Sequence, residues 1–122
     1  MCRYFFFLLQ KFLITLENRP GSLAECCVAI GNAGINILGG AGLGTSVAAA
    51  ALVTAEADET AAVLDSLGMK YAMSDLHTTL LEDVPGALGA FTAGLAEQGV
   101  NLRSIYILGT GNEGVQIGYS TD

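Results

Sequence analysis

The sequence is poor in basic residues and in the side chains that most often carry out chemistry. Its 122 residues include five lysines and arginines, one histidine, three cysteines and no tryptophan. Twelve aspartates and glutamates bring the net charge to −7, which repels phosphate backbones and anionic membrane surfaces. We therefore expect neither a nucleic acid nor a membrane as a direct partner.

Disulfides and long apolar runs are also lacking. Cys2, Cys26 and Cys27 make an odd number, and unpaired cysteines that behave as small hydrophobes are typical of the reducing cytoplasm. The opening MCRYFFFLLQKFLITL is interrupted by Lys11, short of the roughly 18–20 residues of a membrane span, and no cleavage site follows. We interpret residues 1–10 as an N-terminal apolar extension of a cytoplasmic protein.

No catalytic or metal-binding pattern is present. His77 has no nucleophile or carboxylate at a recognisable spacing, while Glu82 and Asp83 are adjacent in a predicted strand and face opposite ways. No cluster has zinc-ligand spacing, and the glycines of GGAGLG do not match the G-x-G-x-x-G pattern of a nucleotide loop. We expect a protein that is not an enzyme and that uses no cofactor or metal.

What is present is an internal repeat. LENRPGSL at residue 16 returns at residue 81 as LEDVPGAL, and Gly34 and Asn36 return at the same shift of 65 as Gly99 and Asn101. These matches fall on turn and cap positions, where backbone geometry restricts the choice of residue. Duplication of one structural unit is favoured over chance.

The first copy has the signals of a complete α+β unit. KFLITLE alternates as a strand does, a helix follows from Ser22, INILGG and TSVAAAALVTA are predicted strands, and AGLG is the turn between them. DETAAVLDSLG is a second helix with Asp58 at its N-cap, and MKYAMSD is a last strand. This order predicts a ferredoxin-like βαββαβ fold, an antiparallel sheet with its helices on one face.

The second copy ends early. LHTTLLE, VPGALGAFTAGLAEQG, VNLRSIYIL and GVQIGYS repeat the first strand, the first helix and the next two strands only. We predict the extension 1–10, a first unit over 11–75 and a truncated second unit over 76–122, in tandem. Either the chain is a shortened form, or another segment fills the vacant sheet edge; YFFFLL, from the same or a neighbouring chain, is our candidate.

The repeated turn suits a carboxylate ligand. NRPGSL ends a strand and starts a helix whose first amide N–H groups are unpaired, and Gly21 lets a ligand approach the backbone. The amides of Asn18 and Asn36 both donate and accept, so an amino acid matches the site. Pro-Gly is also ordinary turn chemistry, and Asn36 could satisfy a neighbouring backbone group, so a purely structural role stays open.

LENRPGSLAECCVAIGNAGINI resembles the signature of the ACT domain, a small ligand-binding regulatory module, and LEDVPGALGAFTAGLAEQGVNL resembles it again. The first stretch is especially similar to the ACT domain of bacterial phosphoglycerate dehydrogenase. The resemblance covers nearly the whole chain after residue 10. It implies domains that pair side by side, here within the chain or as a homodimer, and that bind an amino acid at the shared interface near the first loop.

The resemblance also implies the residues that contact the ligand. One departure is Leu16, which stands where the dehydrogenase-like motif has a histidine; another is Asp83, which replaces the loop asparagine and would repel a carboxylate but hold an ammonium. The two sites are therefore expected to differ. The implied residues are Asn18, Arg19, Gly21, Ser22, Leu23, Asn36 and Ile37 in the first unit, and Asp83, Gly86, Ala87, Leu88, Asn101 and Leu102 in the second.

We therefore expect a non-catalytic regulatory module that binds an amino acid and acts on a separate partner, such as a regulated enzyme. An alternative is a structural, self-associating module whose ligand site has decayed, which the mean hydropathy of +0.52 and the missing last strand favour. A third hypothesis is a small enzyme of ferredoxin-like fold, but the lack of a catalytic pattern argues against it.

Overall fold

A computed structural model describes residues 9–122 of the chain. The role expected for YFFFLL falls largely on residues 4–8, which lie outside the described residues. The described part divides into two compact units, the N-terminal unit of residues 9–75 and the C-terminal unit of residues 76–122. The elements are β1 (Leu9–Leu16), α1 (Ser22–Asn32), β2 (Gly39–Gly44), β3 (Ala48–Thr54), α2 (Ala57–Ser66), β4 (Tyr71–Leu81), α3 (Ala87–Glu97), β5 (Leu102–Gly111) and β6 (Gly114–Thr121).

The strands of the N-terminal unit are ordered β2-β3-β1-β4, with the first half of β4 at one edge. Strand β3 is antiparallel to both β1 and β2. Thr15 donates its backbone N–H to the Lys70 carbonyl at 2.9 Å, and Gln10 donates a side-chain N–H to Asp75 at 2.7 Å. The earlier residue of β1, Gln10, contacts the later residue of β4, Asp75, while Thr15 contacts Lys70 just before β4. The two strands therefore run antiparallel. This is the order of a βαββαβ ferredoxin-like unit.

The C-terminal unit repeats the beginning of this pattern. Its strands are ordered β4-β6-β5, and β6 is antiparallel to both neighbours, with His77 facing Tyr119 and Ile107 facing Ile117. Helix α3 packs on the face that carries Tyr119, whose ring centroid lies 5.3 Å from that of Phe91. Residues 76–122 contain no counterpart of α2 or of a fourth strand. The expected α+β, ferredoxin-like fold is therefore confirmed.

The core of the N-terminal unit explains why its helices form. Phe12 and Ile14, two residues apart in β1, point to the same face and are fully buried. Cys26 and Ile30, four residues apart in α1, are buried against them, as is Leu64 of α2. Both helices therefore cover the same face of the sheet, which is what an amphipathic helix requires for stability.

The position of β2 differs from the sequence-based expectation. INILGG was predicted as a strand and AGLG as a turn, but residues 35–38 are irregular and β2 occupies Gly39–Gly44. Glycine weakens a strand locally, so the sequence carries little signal there. Pairing with β3 decides where the strand lies, and this pairing begins with Gly39 opposite Val53. A Cβ at Gly40 would lie 2.5 Å from the Ala51 carbonyl oxygen, so this close pairing needs glycine.

The start of α2 was also predicted wrongly. Glu56 occupies the N-cap position and makes no side-chain capping hydrogen bond, whereas Asp58 lies inside the first turn. The carboxylates of Asp58 and Glu59 there are favoured by the positive end of the helix dipole, which stabilises the helix start in place of a cap.

Candidate functional site

The two Pro-Gly turns have the same backbone conformation. Gly21 has φ 87° and ψ −8°, and Gly86 has φ 88° and ψ −10°, both in the left-handed region. The carbonyls of these glycines accept the first helical hydrogen bonds at 2.9 Å, from the N–H groups of Glu25 and Ala90. Neither helix start has a side-chain capping bond. The first N–H group of each helix donates back into the turn, from Ser22 to the Arg19 carbonyl at 3.4 Å and from Ala87 to the Val84 carbonyl at 3.3 Å. The repeat in sequence is thus a repeat of turn geometry.

We expect alanine to be unfavourable at both turns. Gly21→Ala and Gly86→Ala should each lower the free energy of unfolding by about 1–2 kcal/mol, because an L residue is strained at these positive φ values. Gly94→Ala, in the interior of α3 with open space around it, is the matched control and should raise stability by about 0.5–1 kcal/mol. Urea denaturation measures all three; two turn variants as stable as the parent chain would contradict the assigned geometry.

The asparagines that follow α1 and α3 differ in what they contact. Each helix ends at a left-handed glycine, Gly34 with φ 78° and Gly99 with φ 74°. Asn36, two residues beyond the first, is exposed, and its side chain has no hydrogen bond to another described residue. The Asn101 amide instead donates to the Asp122 carboxylate at 2.8 Å. Only the N-terminal unit has this amide available for a ligand.

Arg19 is held by two carboxylates at the loop before α1. Its Nε donates to Glu17 at 2.6 Å, and its Nη2 donates to both carboxylate oxygens of Glu25 at 2.9 and 3.0 Å. These hydrogen bonds raise the pKa of the guanidinium, and the bond to Glu17 has a larger effect than the bonds to Glu25. All three side chains are exposed, so the cluster orders the loop more than it stabilises the fold. Asn18 beside it is exposed and has no such partner.

A cavity of about 300 Å³, with polar and apolar lining in equal parts, adjoins this cluster. It brings together Arg19 and Ser22, two of the residues expected to bind ligand. Carboxylates and cationic groups both line it, a mixture that fits a zwitterion better than an apolar molecule. Its lining residues are Thr15, Leu16, Glu17, Arg19, Ser22, Glu25, Leu67, Gly68, Met69 and Lys70.

An apolar cavity of about 390 Å³ lies beside α1 and β2. It brings together Leu23 and Ile37, two further residues of the expected set. The stretch from Gly39 to Gly42 offers no side chain larger than a methyl group, so backbone forms one wall of the cavity. The lining residues are Leu23, Cys27, Ile37, Leu38, Gly39, Gly40, Ala41, Gly42, Ala50 and Leu52.

The other expected residues line neither of these two cavities. In the N-terminal unit these are Asn18, Gly21 and Asn36, all exposed. In the C-terminal unit Asp83, Gly86, Leu88 and Asn101 are exposed, while Ala87 and Leu102 are half-buried. The structure therefore groups part of the expected set around the start of α1.

Sequence reasoning missed several lining residues. Cys27 lies four residues after Leu23, so helical spacing alone places both on one face, and this signal could have identified it. The contact of Arg19 with Glu25 crosses a left-handed turn, which no regular spacing predicts. Cys26, next to Cys27, is instead part of the core, where burial and then the neighbouring thiol raise its pKa to about 11.

Residues 9–122 hold neither a candidate metal site nor a helix able to span a membrane. No group of three or more His, Cys, Asp or Glu side chains in this range could hold a metal ion. None of the helices found there has the length and apolar character needed to cross a membrane.

Comparisons with known proteins identify the fold. No family model and no curated protein matches the chain. Among solved structures, a protein from Bacteroides thetaiotaomicron is similar with a TM-score of 0.81 and 19% identity, over 95% of this chain and 81% of that one. The ligand-free regulatory subunit of aspartate kinase from Thermus thermophilus is similar with a TM-score of 0.69 and 19% identity, over 94% and 82%. Aspartate kinase from Synechocystis is similar with a TM-score of 0.64 and 20% identity, over 93% of this chain and 22% of that one.

At these identities the likeness is one of fold. Together with the strand orders, it confirms an ACT-like fold for this chain. The closer similarity to the phosphoglycerate dehydrogenase domain stays a prediction.

Proposed function

We propose that this chain is a non-catalytic regulatory module that binds an amino acid at the start of α1 in its N-terminal unit. One observation carries the proposal: the left-handed Gly21 starts α1 with no side-chain cap, and the amides of Asn18 before α1 and Asn36 after it have no hydrogen bond to a described residue. The positive end of the helix dipole favours a carboxylate, and the two asparagine oxygens can accept from an ammonium.

The C-terminal unit is the weaker of the two candidate sites. Its Asn101 amide already donates to Asp122, and Asp83 places a carboxylate where the first unit has Asn18. A ligand carboxylate there meets like charge and a competing hydrogen-bond acceptor. We therefore assign ligand binding to the N-terminal unit and leave Gly86, Ala87, Leu88 and Leu102 a structural role.

The regulatory part of the proposal draws on fold neighbours. The Thermus thermophilus protein of similar fold is a regulatory subunit, and a similar fold forms part of a complete aspartate kinase of Synechocystis. Fold alone does not fix function, so this is an analogy. By that analogy, our chain acts on a separate cytoplasmic partner, such as an enzyme, through a change in domain arrangement that ligand binding favours.

We further propose that the chain forms a homodimer through the β2 edge of its N-terminal unit. Among residues 9–122, strand β2 ends the strand order there, so one row of its backbone N–H and C=O groups has no partner strand within this range. Leu43 and Val47 at this edge are 72% and 63% exposed. Two such edges can pair around a twofold axis and bring two copies of the α1 start together.

Thermal unfolding against a panel of amino acids tests the proposed function. Ligand at about 100 times its dissociation constant adds about 2.7 kcal/mol of stability, which raises the unfolding midpoint clearly. Asn18→Ala and Asn36→Ala should abolish the shift. Asn101→Ala, which alters the matching position of the C-terminal unit, is the control and should keep it.

Two outcomes would contradict the assignment. A shift retained in both N-terminal variants would place the ligand elsewhere. No shift with any amino acid would favour the second candidate function, a self-associating module, for which the exposed Leu43 and Val47 argue. Sedimentation measurements with Leu43→Ser would then show whether the β2 edge holds the copies together.

A further inference from the structure

The C-terminal unit contains a cavity of about 350 Å³ at its β5–β6 hairpin, separate in sequence from the residues assigned above. Four of its lining side chains are polar, and none is a lysine, arginine or histidine. The lining residues are Leu108, Gly109, Thr110, Gly111, Asn112, Glu113 and Gln116.

Gln116 is the residue that requires an explanation. Its side chain is 1% exposed, and its Nε2 is buried without a hydrogen-bond partner. In the sheet it faces Gly109 on one side and Leu80 on the other, and neither has a side-chain acceptor. Buried donors without a partner are rare in native proteins, because a donor that loses its hydrogen bond to water on burial and gains no other costs free energy.

The fold itself does not require this polar residue. At the shift of 65 residues Leu80 matches Thr15, and Thr15 faces Ala49 of β3 where Leu80 faces Gln116 of β6. A methyl group therefore satisfies the same position of the sheet. The β5–β6 pair also has a register shift between Ile107 and Gly109, whereas the β2–β3 pair has none. Such bulges redirect side chains and are frequent beside binding sites.

We propose that this cavity binds a small uncharged molecule through a carboxamide group. The carboxamide oxygen accepts the hydrogen bond that Gln116 Nε2 lacks, and the hydroxyl of Thr110 and the amide of Asn112 can accept from its NH₂ group. An anion is disfavoured, because the lining supplies no cation and the chain carries −7. Leu108 offers apolar surface to the rest of the ligand, and the volume suits a small molecule.

An NMR titration with butyramide tests this proposal, with butyrate as the matched anion of the same chain length. We expect a saturable shift of the Gln116 side-chain NH₂ signals with butyramide and at least tenfold weaker binding of butyrate. The backbone N–H signals of Thr110 and Asn112 should shift with butyramide as well, and Gln116→Leu should remove that shift. Without ligand, the same variant should have a higher unfolding midpoint because it lacks the unpaired donor. Gln116→Met, of similar length and also without a donor, serves if the leucine variant does not fold.

The remaining outcomes separate this site from the amino-acid site. Asn18→Ala, in the other unit, should leave the butyramide response unchanged, so either proposal can fail alone. Signals that do not move at butyramide concentrations on the order of 100 mM would overturn the proposal, since affinity would then be negligible. So would equal responses to butyramide and butyrate, or an ordered water that stays on the Gln116 NH₂ group when butyramide is added.

Discussion

Phe12→Ala is expected to lower the free energy of unfolding by about 3–5 kcal/mol, the usual range for removing a buried aromatic side chain. Phe12 is fully buried in the core of the N-terminal unit, and its ring centroid lies 5.9 Å from that of Tyr71. Since domains of this size are stable by about 5–15 kcal/mol, the loss is a large fraction of the total. Urea denaturation monitored by circular dichroism measures it.

Leu13→Ala is the matched control for this substitution. Leu13 is the next residue of β1, points to the opposite face and is 46% exposed, so its truncation should cost about 1 kcal/mol or less. The two results together test the register of β1, because a slip by one residue exchanges the faces of the strand. A Leu13→Ala variant less stable than Phe12→Ala would show that the faces are assigned wrongly.

Gly114→Ala is expected to cost about 2–4 kcal/mol, by backbone strain and overpacking together. Gly114 begins β6 with φ 129°, a conformation that residues with a side chain rarely adopt. An added Cβ would lie 2.2 Å from the Leu81 carbonyl oxygen and 3.2 Å from its carbon. Leu81 is itself paired with Val115, so the backbone there cannot move away without breaking the sheet.

Gly109→Ala is the control in the same hairpin. A Cβ at Gly109 would meet no atom within 4 Å, so this variant should differ from the parent by less than about 1 kcal/mol. Thermal and urea unfolding of both variants give the comparison. Equal stability of the two would mean that β6 does not approach the end of β4 as closely as described.

The two binding proposals depend on separate residues. The amino-acid site uses Asn18, Gly21 and Asn36 before and after α1, and the carboxamide cavity uses Gln116 in β6. They also use different chemistry, since a charged zwitterion is expected at the first and an uncharged group at the second. The two turns thus share one backbone conformation, while the polar residues around them differ.

Much of the fold could be read from local patterns. The Pro-Gly turns, the helices after them and the glycines that end them are set by backbone geometry, which few residue types satisfy. The repeat of these positions at a shift of 65 predicted that Gly21 and Gly86 share a conformation, and they do. The alternation of KFLITLE similarly predicted a strand, and Phe12 and Ile14, which share one face of β1, are both buried.

Other features were decided by contacts between distant residues. The glycine-rich β2 has no local strand preference and exists because β3 pairs with it, and Glu56 begins α2 although it makes no cap. Around the candidate site, only the folded chain brings Leu23 to Ile37, joins Arg19 to Glu25 and commits Asn101 to Asp122.

The sequence by itself determined the repeated turns, the acidic character and the ferredoxin-like order of elements, because each depends on composition or on residues close together in the chain. The tertiary structure decided which asparagine is uncommitted, which cavities form and where a buried amide lacks a partner. Those properties depend on side chains tens of residues apart, and a hydrogen bond or a cavity exists only once packing has placed both of its sides.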